Sequence, residues 1–401
     1  MRFETPMTIA SQLIADVRAF FRDLNEVTSR AVVSMARHRE PESPCPDASR
    51  CRENLVVSPR HHTVPQLYLR NFADASGQVM LVSRDEPSLA HRSAINKAIA
   101  EVGFYRIETE ALAREEDKSG FDPEGVEAEL SKLESSMAPT IQKLVERRFA
   151  AIDDNDWYRL IQFTALQTVR GHRWRSDVIA LITQSVRTQV LDGLDEEKAH
   201  AALALQGKPS TAADAAAFVE DLASSRFPRV VPPQAVLVQE SLKMALGDPE
   251  TDNRGLAQYL VGKKIEAVLP KSATVLTSDE PVCWWSPGDG PVGYATAQVV
   301  WLPLSPRLIV QFREPTFDMA AHGLPDLRSG EANDELVAFV NRVVASQAER
   351  WIVHHPDDAP IMGMVLPARE VWGDELVAVR EDVATRHELY AHRRLQGGME
   401  Q

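Results

Sequence analysis

The chain has 401 residues, 44% of them hydrophobic and 25% charged, the proportions of a globular protein with a packed core rather than a disordered one. Its 44 basic and 58 acidic side chains leave a formal net charge of −14. That balance argues against a general electrostatic grip on nucleic acid or an anionic membrane, since both need positive surface to displace counterions.

Residues 7–37 carry Ile9, Leu13, Val17, Phe20, Leu24, Val27 and Ala31 near helical spacing, which predicts a helix packed on its own domain. Asp16, Arg18, Arg22, Asp23 and Glu26 interrupt the apolar residues, so no secretory segment is expected. No stretch approaches the roughly 20 apolar residues that span a bilayer. Cys45, Cys51 and Cys283 are too few for a disulfide framework, and Cys45 and Cys51 lack a second ligand pair for zinc. A cytoplasmic location is expected. The Pro-rich run from Glu40 to Asp47 reads as a linker. The expected organisation is an N-terminal helix and linker over 1–51, a main α+β domain over 52–370 and a helical tail over 371–401.

Thr63-Val64-Pro65-Gln66 predicts a helix start, with Thr63 as cap, Gln66 reaching back to it and Pro65 in the first turn. A short helix through Phe72 should follow. Gly77 introduces a strand, Gln78 to Val82, with Val102 to Ile107 as its expected partner. Val126, Leu130, Leu133, Met137, Ile141 and Leu144 form one helical stripe. Leu160, Phe163, Thr164, Trp174, Val178, Leu181 and Ile182 form another on a second long helix, with Gly171 as its weak point. The Ala-rich stretch 199–225, around the turn-prone Gly207 to Ser210, and residues 234–246 also look helical. From Lys264 onward short β-type runs are divided by Pro and Gly, at 273–277, 282–285, 297–302 and 307–312. A helix near 331–350 and a strand near 361–366 complete the pattern. Helices in the middle with strands clustered late define an α+β class: a long-helix core with a late antiparallel or mixed β-sheet.

Several polar residues do not fit a plain core. His61 and His62 precede the first short helix, and adjacent residues in extended chain point to opposite sides. Histidine can serve as general base or metal ligand near neutral pH. Glu127 and Glu134 lie two turns apart on one flank of their helix. Gln167 falls inside the apolar stripe of the next helix, where a buried unpaired amide costs about 1–3 kcal/mol, so it should have a partner. Arg170, one turn on, suits an anionic ligand or a carboxylate of the preceding helix, Glu127 or Glu134. Thr277-Ser278-Asp279-Glu280-Pro281 ends a strand and aims a hydroxyl and a carboxylate from a rigid support. Asp279 there could bind metal, orient a histidine or close a turn. No GxxxxGK[ST], HExxH or GxSxG pattern occurs.

Together these blocks resemble the bacterial family catalogued as domain of unknown function 4238. The similar segments are His61 to Phe72, Gly77 with its strand, Phe104-Tyr105, Glu127-x-x-Leu130, Leu133-Glu134, Gln167-x-x-Arg170, Thr277 to Pro281, Leu302 to Pro306 and the helix with Asn341. They cover roughly residues 60–355. Residue 280 is glutamate where the family usually has asparagine. The resemblance implies a shared polar site without naming a reaction.

The resulting expectation is a hydrolase-like enzyme acting on an anionic or nucleotide-like small molecule. His61, His62, Asp279 and Glu127 would be its catalytic groups, and Gln66, Tyr68, Arg70, Gln167, Arg170 and Ser278 would bind substrate. His62, Glu134 and Asp279 would be the ligands if a divalent metal (Zn, Mn or Mg) assists. The alternatives are a metal-dependent nuclease of a host-defence type, disfavoured by the acidic charge, and a binding or scaffold protein whose polar network locks helices together. No membrane partner is expected.

Overall fold

The computed structural model describes residues 60–107, 122–193, 196–205, 208–223, 230–247, 255–288, 292–325, 330–361 and 363–366. The expected helix over 7–37, the linker and the C-terminal helix lie outside them. The described chain is α+β and divides into two units. Of the described residues, one unit comprises those within 105–129 and 175–240; the other comprises those within 60–104, 130–174 and 241–366.

Among the described residues of the second unit, three antiparallel sheets form. The texture change after Lys264 yields one of four strands, in the order β5 (Lys264–Val268), β9 (Leu308–Arg313), β8 (Val299–Ser305) and β7 (Cys283–Trp285). Every residue of β8 is buried, so this strand is covered on both faces. A second sheet runs β3 (Ala90–Ala94), β2 (Gln78–Ser83), β10 (Trp351–His354), β6 (Thr277–Ser278). The third is a ribbon of β1 (Arg60–His62) and β4 (Ala100–Val102), with His61 opposite Glu101 and His62 opposite Ala100.

Helix α8 (Gly330–Gln347) joins the two larger sheets. Its Leu336, Val340 and Val344 share one apolar cluster with Val82 and Ile352 of one sheet and Trp301 and Ile309 of the other. Its polar residues close backbone that no strand closes. Asp334 accepts amide hydrogens from Lys271, Ser272 and Ala273. Asn341 accepts from Leu276 N–H and donates to Thr274 C=O, and Gln347 does the same for both backbone groups of Trp284. The run 273–276 is thereby held by side chains and by one backbone bond, Val275 N–H to Pro306 C=O, and of the expected strand only Thr277, with Ser278 after it, joins a sheet.

Helices α2 (Gly125–Val145) and α3 (Asp154–Val169) are clamped by Asp156. Its carboxylate accepts from Thr140 Oγ1 at 2.6 Å and Lys143 Nζ at 2.6 Å. Those two donors hold its pKa down, to about 2. In the first unit, α5 (Glu196–Leu205) and α6 (Ala212–Ala223) pack Ala199 and Leu203 against Ala215, Phe218 and Val219.

Several expectations are corrected. Strand β2 pairs with β3 and β10, while Val102 belongs to the β1–β4 ribbon. The helix α1 (Gln66–Leu69) has Pro65 at its cap and no side-chain capping bond. Leu133 and Leu181 are exposed members of their stripes. The late strand is Trp351–His354, not 361–366. The expected second long helix is two: α3 ends at Val169 and α4 (His172–Gly193) begins after Arg170-Gly171.

Candidate functional site

The corner Arg170-Gly171-His172-Arg173, where α3 hands over to α4, meets Glu134, the His62 carbonyl, Glu280 and Glu101. Its cause is local. A Cβ on residue 171 would lie 1.9 Å from Glu280 Oε1, so only glycine leaves room for that carboxylate. Glu280 Oε1 in turn accepts the Arg173 N–H at 2.9 Å, satisfying one of the amides that open a new helix. The chain therefore breaks at the weak point of the helical pattern.

Arg170 is buried and forms an ion pair with Glu134, also donating from Nη2 to His62 C=O at 2.8 Å. The pair joins α2 to α3 and both to β1. Burial pushes the His62 imidazole pKa below its ordinary value, with the Arg170 charge adding to that. Backbone groups of Ile95 and Asn96 and the Glu134 carboxylate oppose the shift. The outcome favours a neutral ring. His62 Nε2 is buried and has no hydrogen-bond partner among the described residues. Gln167, one turn before Arg170, is 1% exposed, and neither atom of its amide has a partner among the described residues.

The segment after β6 serves the backbone. Ser278 Oγ donates to Glu280 C=O and accepts its N–H, closing a turn. Asp279 accepts amide hydrogens from Glu349 at 3.0 Å, Arg350 at 2.7 Å and Trp351 at 3.2 Å. It fastens the entry to β10. Burial raises the pKa of Asp279 to about 6, with the three amides pulling the other way. Glu280 is raised well above the usual range by burial and by the neighbouring Asp279 charge.

On the other side of the corner, His172 Nε2 pairs with Glu101 Oε1 on β4, and Arg350 Nη1 donates to the same oxygen at 2.6 Å. The Phe104 ring meets His172 edge-on at 5.0 Å. His172 and Glu101 are half-buried and Arg350 is exposed, so solvent and solutes reach this cluster. The sequence reading missed all three residues. His172 follows Gly171 directly, and a helix restart there would have marked it. Arg350 sits before a strand that the pattern misplaced.

The remaining expected residues scatter. Tyr68 is fully buried, bonded to Thr277 Oγ1 at 2.7 Å and to Pro303 C=O. His61 is buried on β1, Gln66 is half-buried and Arg70 is exposed. Glu127 belongs to the other unit, in the first turn of α2. Among the described residues no three His, Cys, Asp or Glu side chains gather closely enough to hold a metal ion, and His62, Glu134 and Asp279 form no such set. Among those residues, too, no helix is long and apolar enough to cross a membrane.

The chain belongs to the family described as "Protein of unknown function (DUF4238)", which its residues 60–358 match. No curated protein and no solved structure matches it.

Proposed function

We propose that this protein is an enzyme of hydrolase type that performs acid–base chemistry on an anionic or nucleotide-like small molecule beside the α3–α4 corner. The observation that carries the reading is the Glu101 carboxylate shared by His172 and Arg350 at a solvent-reachable position. A carboxylate on one ring nitrogen fixes the tautomer and orientation of the imidazole, leaving the other nitrogen to take or give a proton. Arg350 supplies positive charge beside it, suited to a phosphate or carboxylate of the substrate. Arg170 is buried against Glu134, whereas Arg350 is exposed, so anion binding falls to Arg350 in this reading.

The test is turnover and binding with a panel of nucleotides and simple phosphate esters. His172→Gln should remove turnover while keeping binding, and Arg350→Ala should weaken binding. Unchanged turnover in the first variant and unchanged binding in the second would defeat the proposal.

A second reading has its own support. Ser278, Asp279, Glu280, Asp334, Asn341 and Gln347 all bond to backbone groups. A network of this kind fits a scaffold whose polar residues specify packing. Such a protein would bind none of the panel.

A further inference from the structure

Gln167 contradicts a general rule of protein interiors, that buried polar atoms find partners. It is 1% exposed, and neither Oε1 nor Nε2 has a hydrogen-bond partner among the described residues. Leaving both atoms unsatisfied costs the full desolvation penalty of each, and a leucine at this position in an apolar stripe would avoid that cost. A group that the amide receives from outside the chain would offset it.

The surroundings define what that group is. One turn before Gln167, the Phe163 ring contacts Tyr68, with centroids 6.3 Å apart. One turn after it, Arg170 reaches the His62 carbonyl. Residues three or four apart share a helix face, so Gln167 faces the segment that runs from His62 to Tyr68. His62 brings a second buried atom, Nε2, that lacks a hydrogen-bond partner. Arg170 already has Glu134 as a counter-charge, and burial favours the neutral His62 ring. A desolvated neutral site penalises an ion, whose own charge would go unmatched. A carboxamide offers one donor and one acceptor side by side, and its complement is an edge of the same kind.

We propose that Gln167, with His62 beside it, forms a buried subsite for an uncharged donor–acceptor edge, that of a carboxamide or a nucleobase. The subsite does not depend on the Glu101–His172 chemistry, and its probes carry no phosphate.

The experiment is calorimetric and ligand-observed NMR titration of the full chain with nicotinamide, adenine and uracil, with Gln167→Leu, Gln167→Glu and His172→Gln in parallel. The expected result is binding of at least one probe with a dissociation constant of about 1 mM or tighter. Gln167→Leu should weaken it at least about tenfold, a change of about 1.4 kcal/mol. Gln167→Glu, which keeps the size but replaces a donor with a charge, should weaken it too and serves if the leucine variant fails to fold. His172→Gln should leave it unchanged. Binding of nicotinamide alone assigns a carboxamide, and binding of either base assigns a nucleobase. The proposal is overturned if none of the three probes binds, as expected for a subsite holding ordered water only, or if binding is indifferent to both substitutions at Gln167.

Discussion

Glu280 and Gly171 occupy one space: the carboxylate lies 1.9 Å from where a Cβ on residue 171 would stand, and it is held there by the Arg173 amide. Gly171→Ala must therefore displace a buried carboxylate and leave that amide without its acceptor. We expect a loss of about 1–3 kcal/mol, read as a lower denaturation midpoint. Glu280→Asn has a shorter side chain, so the alanine should cost less in its background. Additive effects of the two substitutions would show that they do not share the space.

Asp279 and Glu280 make the folded state bind protons more tightly than the unfolded chain does. Asp279 is raised to about 6 by burial, against about 3.9 when unfolded, and Glu280 is raised as well. The folded state thus holds more protons across the interval, and stability contributed by these groups falls as pH rises from about 4 through about 6. For Asp279 alone the linkage is on the order of 3 kcal/mol. Asp156 and Asp334 act oppositely: both are held at about 2 by hydrogen-bond donors, so their contribution is present above about 4 and lost as pH falls toward 2. A melting temperature that peaks in mildly acidic buffer is expected. Glu280→Gln, which can still accept the Arg173 amide, should flatten the decline above the peak. A curve that rises steadily to neutral pH in wild type would refute this.

Arg170→Leu and Gln167→Leu should differ sharply. The first leaves the Glu134 carboxylate and the His62 carbonyl without their donor and is expected to cost about 3–5 kcal/mol. The second removes two unsatisfied atoms and should leave the unliganded protein at least as stable as wild type. Chemical denaturation of the two variants side by side measures the difference. Equal, small losses would mean that the Arg170 pair contributes little.

How far the sequence exposed this arrangement can be followed residue by residue. Helix periodicity placed α2, α3, α7 (Gln234–Leu246) and α8, because each buries an apolar stripe that recurs every turn. The break at Gly171 was visible only as a weakness, since its cause is a carboxylate more than 100 residues away. Wheel geometry marked Gln167 as buried and Arg170 as the mate of Glu127 or Glu134, and Arg170 pairs with Glu134 in the structure. Asp279 stood out as a metal ligand, a partner for histidine or a turn former, and its partners in the structure are backbone amides of the turn before β10. Glu101, His172 and Arg350 come from three distant segments and carry no local pattern, so only the folded chain brings them together.

Asn341 gives a test of how α8 organises the strand region. Its amide pairs with Leu276 N–H and Thr274 C=O in the core. Asn341→Leu would leave both unpaired at a cost of about 2–4 kcal/mol, whereas Asn341→Asp keeps the acceptor for Leu276 N–H and replaces the donor with a buried carboxylate oxygen. Amide exchange at Leu276 should accelerate in the leucine variant by more than in the aspartate variant. Equal exchange in both would mean that the side chain does not hold this segment.

The reading of the α3–α4 corner as an acid–base centre is tested most directly by product formation from the nucleotide and phosphate-ester panel, measured for wild type and His172→Gln in parallel. Turnover by wild type should fall at least about a hundredfold in the variant, the usual contribution of a positioned acid or base, with melting temperatures within a few degrees of each other. Equal turnover by both proteins, or none by wild type across the panel, would contradict it.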